Sequence, residues 1–154
     1  MSTHVCTVTW DRRGAAFTDL KYSRAHRWRF DGGVEVAASA SPHVVKPPFS
    51  DPAAVDPEEA FVAAVASCHM LTFLWLAAKA GFVADSYADD AVGRMGENAA
   101  GREAVVEVVL RPRIQWSGAR PPNEDELRRL HHDAHEQCYV ANSVTTSIRV
   151  ESPR

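Results

Sequence analysis

The sequence predicts an α+β fold, with strands and helices in separate runs along the chain instead of the alternating strand–helix–strand units of a parallel sheet. Three observations carry this. Phe61–Ala78 (FVAAVASCHMLTFLWLAA) is continuously apolar and follows a helix-starting Asp56-Pro57-Glu58-Glu59. Leu127, Leu130, Ala134 and Cys138 recur at spacings of 3, 4 and 4 behind Asn123, which describes a second helix with one apolar stripe. Short stretches on both sides of these segments alternate with the two-residue period of strands.

In chain order, residues 4–10 (HVCTVTW) alternate as a strand, and 16–21 and 27–31 follow as shorter candidates within an N-terminal strand region, 1–40. Asp31-Gly32-Gly33 is a turn signal leading into the alternating 34–37. Pro42, Pro47, Pro48 and Pro52 make 41–57 a surface loop. A central helix then runs 57–81: Asp56 is its N-cap, Pro57 its first residue, Glu58 and Glu59 complement the dipole, and Gly81 ends it. Strands at 85–95 and 103–115 are joined by a Gly/Asn-rich turn around 96–101. A second helix occupies 123–139, and a last strand lies within 143–151. No repeat and no internal linker interrupts the chain, which reads as a single domain, 1–154.

Bulk properties narrow the function. With 45% hydrophobic and 24% charged residues the chain is of ordinary globular composition. A net charge of −3 leaves no basic stripe to neutralise phosphates, so a nucleic-acid partner is not expected. The start MSTHVCTVTW has no apolar leader region, and three cysteines are too few for a disulfide scaffold. The expected setting is cytoplasmic, where thiols rest reduced and any disulfide is transient and chemical. Phe61–Ala78 approaches the length of a membrane span. Its alanines, Ser67, His69 and Thr72, and the lack of a second such segment, favour a fully buried core helix with no membrane partner.

The candidate chemistry lies in the two cysteines of the helices. A thiol in an apolar helix is most often inert packing, and the same holds for a cysteine at the foot of an amphipathic stripe. Cys68 stands about three turns into its helix, too far from the N-terminus for the dipole to help, so a reactive Cys68 requires a cation. Arg24, Arg27 and Arg29 are available, and Glu58, ten residues before Cys68, could hold one of them. His131, His135 and Cys138, at i, i+4 and i+7, could instead face one metal ion, although a fourth ligand is wanting. Cys6, on the first strand with no charged neighbour, reads as packing. Nucleophile-elbow, dinucleotide-binding and phosphate-loop motifs are all absent.

Two segments resemble a known family. DPEEAFVAAVASCHM is similar to the helix start of the OsmC/Ohr organic hydroperoxide reductases, where Asn-Pro-Glu-Glu or Asn-Pro-Glu-Gln leads to a cysteine ten positions past the first Glu. LHHDAHEQCYVANS resembles the second cysteine site of that family, His-x-x-Cys-Pro-Tyr-Ser. The likeness extends over nearly the whole chain. It implies an OsmC-like intertwined homodimer, with two long central helices per chain packed against antiparallel β-sheets and with active sites at the subunit interface. It also implies a peroxidase in which Cys68 attacks an alkyl or fatty-acid hydroperoxide and becomes a sulfenic acid, Cys138 condenses with it into a disulfide, and a dithiol, such as a lipoyl protein, reopens the disulfide. Glu58 would pair with the arginine that activates Cys68; Arg24 is the first choice and Arg13 the second. No cofactor or metal is implied. The sequence departs from the pattern at Asp56, which replaces Asn, and at Tyr139-Val140-Ala141, which replaces Pro-Tyr-Ser. A weakly active binding protein of the same fold, or a metal protein using His131, His135 and Cys138, are the alternatives.

Overall fold

A computed structural model describes residues 2–151. Residue 1 and residues 152–154, the ends of the expected 1–154 domain, lie outside the described residues. Contacts divide the chain into two compact units, 1–60 and 61–154.

In the first unit, β1 (Cys6–Thr9), β2 (His26–Phe30) and β3 (Glu35–Ala38) form an antiparallel sheet in that order. Asp31-Gly32-Gly33 makes the β2–β3 turn, with Gly33 at φ 86, a conformation a side chain would strain. Residues 16–21, expected as a strand, pair with nothing among the described residues. Local turns win there: the Asp19 carboxylate accepts the Lys21 N–H at 3.0 Å, and Leu20 sits at φ 64. Cys6, expected to pack, is exposed with the rest of β1. At the end of the proline-rich loop, Asp56 Oδ1 accepts the Glu59 N–H at 2.8 Å and Glu59 Oε2 accepts the Asp56 N–H at 3.1 Å. This reciprocal box, with Pro57 at the first helical position, starts α1 (Pro57–Lys79) where the sequence places it.

The second unit contains β4 (Val83–Asp89), β5 (Val92–Glu97), β6 (Glu103–Leu110), β7 (Pro112–Ser117), α2 (Glu124–Gln137) and β8 (Ser147–Val150). The two strands expected at 85–95 and 103–115 each break in two and change sheets. β4 pairs with β7, and β5 pairs with β6. The break after Leu110 falls at Arg111-Pro112, where the proline has no N–H for a ladder, and the Arg111 N–H turns to Asp89 Oδ1 at 2.6 Å. The last strand is shorter than 143–151 because Ala141–Ser143 close a 3-10 turn. β8 runs parallel to β6, so one pairing departs from the expected antiparallel sheets. Gly93 lets β5 approach α1 closely: a Cβ there would stand 2.5 Å from Val62 Cγ2.

On α1, Val65, His69, Phe73 and Ala77 form one buried stripe at four-residue spacing. Phe73 and Ala77 pack with Leu130 and Ala134 of α2 over Tyr87, Ile114 and Trp116 of the β4–β7 ribbon. Val65 packs with Val108 and Leu110, flanked by Ile148 and Val150. The helix is not fully buried, contrary to the expectation from its composition. Ala64, Ser67, Leu71, Trp75 and Ala78 are exposed, Leu71 by 62% and Trp75 by 54%. The physical reason is supply: α2 and strands β4, β6, β7 and β8 pack against one stripe of α1, and among the described residues Leu71 and Trp75 on another face stay exposed. By length and a mean hydropathy of 1.8 α1 also satisfies the dimensions of a membrane span, but its buried stripe packs into the protein's own core.

Candidate active site

The two helices of the second unit each deliver one cysteine to the same point. Cys68 is half-buried on α1, one turn past Val65. α2 starts from a capping box between Asn123 and Glu126, buries Leu130, His131 and Ala134, and ends at Gln137. Cys138 is its C-cap, in extended backbone and almost completely buried. Cys138 Sγ lies 2.7 Å from Cys68 Sγ, and the Ala141 N–H donates to Cys138 Sγ at 3.4 Å. Both cysteines are free. A disulfide has its sulfurs about 2.05 Å apart, so only a short approach separates the pair from a covalent bond.

Its surroundings set the protonation of Cys138. Burial pushes the Cys138 thiol up, the adjacent Cys68 sulfur adds to the shift, and the Ala141 and Val140 N–H groups pull the other way. Cys138 therefore keeps its proton at neutral pH and has a donor to offer. The segment Tyr139-Val140-Ala141 fits this geometry. Tyr139 projects into solvent, Val140 packs against the sheet, and Ala141 turns its amide toward sulfur.

A second pair links the same helices. His69 Nε2 and His131 Nδ1 lie 3.0 Å apart, with the rings 5.3 Å apart and inclined by 11°. Phe73 stacks on His131 at 4.3 Å. Burial lowers both imidazoles to about 4, and the charges of His131 and His135 add to the effect on His69. Sequence reasoning left His69 without a role and read His131 as a possible metal ligand. The only local signal is that His69 adjoins Cys68 while His131 stands nearly two full turns before Cys138 on one face of α2. With His131 turned onto His69 and Cys138 onto Cys68, the three side chains of the alternative metal reading do not converge. Among the described residues no group of three or more His, Cys, Asp or Glu side chains is placed to hold an ion.

Glu58 lies in the first turn of α1, with Oε2 buried and without a hydrogen-bond partner among the described residues. Arg24, in the first unit, donates from Nη1 to the carbonyls of Leu20 and Tyr22 and stacks 3.9 Å over the Tyr22 ring. It lines a pocket of about 440 Å³ with Trp10, Phe17, Tyr22 and His26. Arg24 and Glu58 form no ion pair with each other among the described residues. Arg13 sits exposed in a turn at φ 51, its N–H bonded to Asp11 Oδ1 at 2.6 Å.

A small α+β scaffold with two opposed thiols, one on each of its helices, is the class of protein that this fold and geometry define. The chain belongs to the OsmC-like family, whose model, described as OsmC-like protein, matches residues 50–152. It is similar, at 54% identity and a TM-score of 0.96, to an OsmC-like protein of unknown function from Vibrio cholerae, over 99% of this chain and 100% of that one. The fold is shared with an organic hydroperoxide resistance protein OsmC from Legionella pneumophila, at 15% identity and a TM-score of 0.72, over 100% of this chain and 98% of that one. It is shared too with an organic hydroperoxide resistance protein from Elizabethkingia anophelis, at 19% identity and a TM-score of 0.71, over 99% and 94%. No protein with a curated description matches the chain.

Proposed function

We propose that this protein is a thiol-dependent peroxidase that reduces organic hydroperoxides, alkyl or fatty-acid, through a Cys68–Cys138 disulfide. The observation that carries the proposal is the 2.7 Å approach of the buried Cys138 sulfur to the Cys68 sulfur. Family membership and the names of the Legionella and Elizabethkingia proteins support the same reading.

In the first step the Cys68 thiolate attacks the O–O bond of the hydroperoxide, takes the outer oxygen as a sulfenic acid, and releases the alkoxide, which leaves as the alcohol after gaining a proton. The Cys138 sulfur then attacks Cys68 sulfur; the S–S bond forms, the S–O bond breaks, and hydroxide departs with the Cys138 proton as water. An external dithiol, such as a lipoyl group, reopens the disulfide by exchange, a step that requires no bound cofactor or metal. Arg24 activates Cys68 and Glu58 holds the arginine; the unpartnered, buried Glu58 oxygen supports this, because such an acceptor requires a donor. The working form is a homodimer with active sites at the subunit interface, in the cytoplasm. The uncovered apolar face of α1, with Leu71 and Trp75, is a surface of the kind that a second copy buries.

Steady-state turnover tests the proposal. Cumene hydroperoxide is expected to be consumed catalytically with dihydrolipoamide as reductant, faster than hydrogen peroxide and faster than with glutathione. Absence of peroxide consumption with every reductant, in folded and fully reduced protein, would refute it.

A further inference from the structure

We propose that the buried His69–His131 pair is a positioning element for the two-cysteine reaction, holding α2 against α1 in the register that sets Cys138 Sγ on Cys68 Sγ. The inference rests on the peroxidase reading and assigns residues to its second step, the condensation of the Cys68 sulfenic acid with Cys138.

The geometry points this way. His69 is the neighbour of Cys68 on α1, and His131 shares a face of α2 with Cys138. The two helices thus meet through two polar contacts, N···N at 3.0 Å and S···S at 2.7 Å, beside the apolar cluster of Phe73, Ala77, Leu130 and Ala134. Apolar contacts are non-directional and tolerate small slides. An N–H···N bond does not, because it weakens steeply as its angle closes. Its orientation is fixed further by Phe73, whose ring lies within 23° of the His131 plane. The rings are 1% and 8% exposed, so water does not compete for the nitrogens. One proton on the axis satisfies both: one ring donates its N–H and the other presents its lone pair.

A buried polar pair is a poor source of stability compared with apolar side chains of similar size, so its value at this position lies in the register it specifies. That distinction is testable. The double variant His69→Leu/His131→Leu removes both polar groups together, and its melting temperature is expected to equal or exceed that of the parent. In rapid mixing with cumene hydroperoxide, sulfenic acid formation at Cys68, read with a dimedone-type trap, should stay within about twofold. Condensation with Cys138 should slow by about ten- to a hundredfold, the scale of an ångström misplacement of reacting groups. His131→Asn, whose amide can still bond His69, should recover most of the condensation rate. His131→Phe, which keeps the stack and removes the bond, should lose it, and serves as the test if the double variant does not fold.

A second readout needs no peroxide. The equilibrium constant for the Cys68–Cys138 disulfide in glutathione buffers should fall in the double-leucine and phenylalanine variants and hold in the asparagine variant. Were the parent inert to peroxides, the peroxidase reading would fail while this equilibrium still decided the role of the histidines. Unchanged condensation and an unchanged glutathione equilibrium in the leucine variant would overturn the inference, as would a proportional loss of both reaction steps.

Discussion

Cys68→Ser is expected to reduce peroxide consumption to the uncatalysed rate, whereas Cys138→Ser consumes one equivalent per site and then stalls. The asymmetry follows from the separate roles proposed for the two sulfurs, attack on the peroxide at Cys68 and closure of the disulfide at Cys138. Serine at 68 offers no thiolate, and the neutral Cys138 beside it is held protonated by burial, so no second nucleophile takes over. Serine at 138 leaves the Cys68 thiol in place, which preserves the first step. It has no sulfur with which to close the disulfide. The Cys68 sulfenic acid then waits, and only excess peroxide, in a slower side reaction beyond the first equivalent, carries it irreversibly to the sulfinic acid. Intact mass should show one added oxygen at Cys68 and then two, with no disulfide. Equal multiple-turnover activity of the two variants with a dithiol would remove the two-cysteine scheme.

Acid is expected to unfold the protein through a window set by the histidine pair. His69 and His131 have an ordinary value of 6.5 and are pushed by burial to about 4. Below pH 6.5 the unfolded chain binds protons that the folded protein refuses, so stability rises with pH across this interval. Above pH 6.5 keeping the rings neutral carries no proton-linked cost, and the cost grows as pH falls toward 4. The interval corresponds to on the order of 3 kcal/mol for a ring, and the pair falls short of twice that because neighbouring sites titrate jointly. Against a total stability of roughly 5–15 kcal/mol this is a large share. Carboxylates act later: Glu126, held by Arg120, and Glu151, held by Arg111 and Arg149, sit at about 2, so their contribution is lost only as pH falls from about 4.5 toward 2. Urea unfolding from pH 7.5 to 4 should show the loss in the parent and much less of it in His69→Leu/His131→Leu. A flat profile in the parent would contradict the burial of the pair as neutral rings.

What the sequence made legible was local. Asp56-Pro57 and Asn123 mark both helix starts because capping is written within four residues. The stripe at Leu130, Ala134 and Cys138 is visible because helical period converts spacing into a face. Pairings across long separations were not legible. The strands at 85–95 and 103–115 read as continuous, since the exchange of partners at Asp89 and Arg111 depends on contacts between the two stretches. Burial of α1 was overstated for a related reason: composition shows that a helix is apolar all round, not how much of it the chain can cover. The candidate site divides along the same line. The motif resemblance drew attention to Cys68, Cys138, Glu58 and Arg24, but the His69–His131 bond joins positions with no shared motif. The thiols are opposed, while among the described residues Glu58 and Arg24 form no ion pair with each other.

The central claim is that Cys68 and Cys138 form a peroxide-driven disulfide, and the most direct measurement is intact mass with thiol titration after one equivalent of cumene hydroperoxide. The account predicts the loss of two thiols and a mass lower by two hydrogens, with peptide mapping joining Cys68 to Cys138 and Cys6 still free. Unchanged thiols in folded, reduced protein, or a disulfide that includes Cys6, would contradict it.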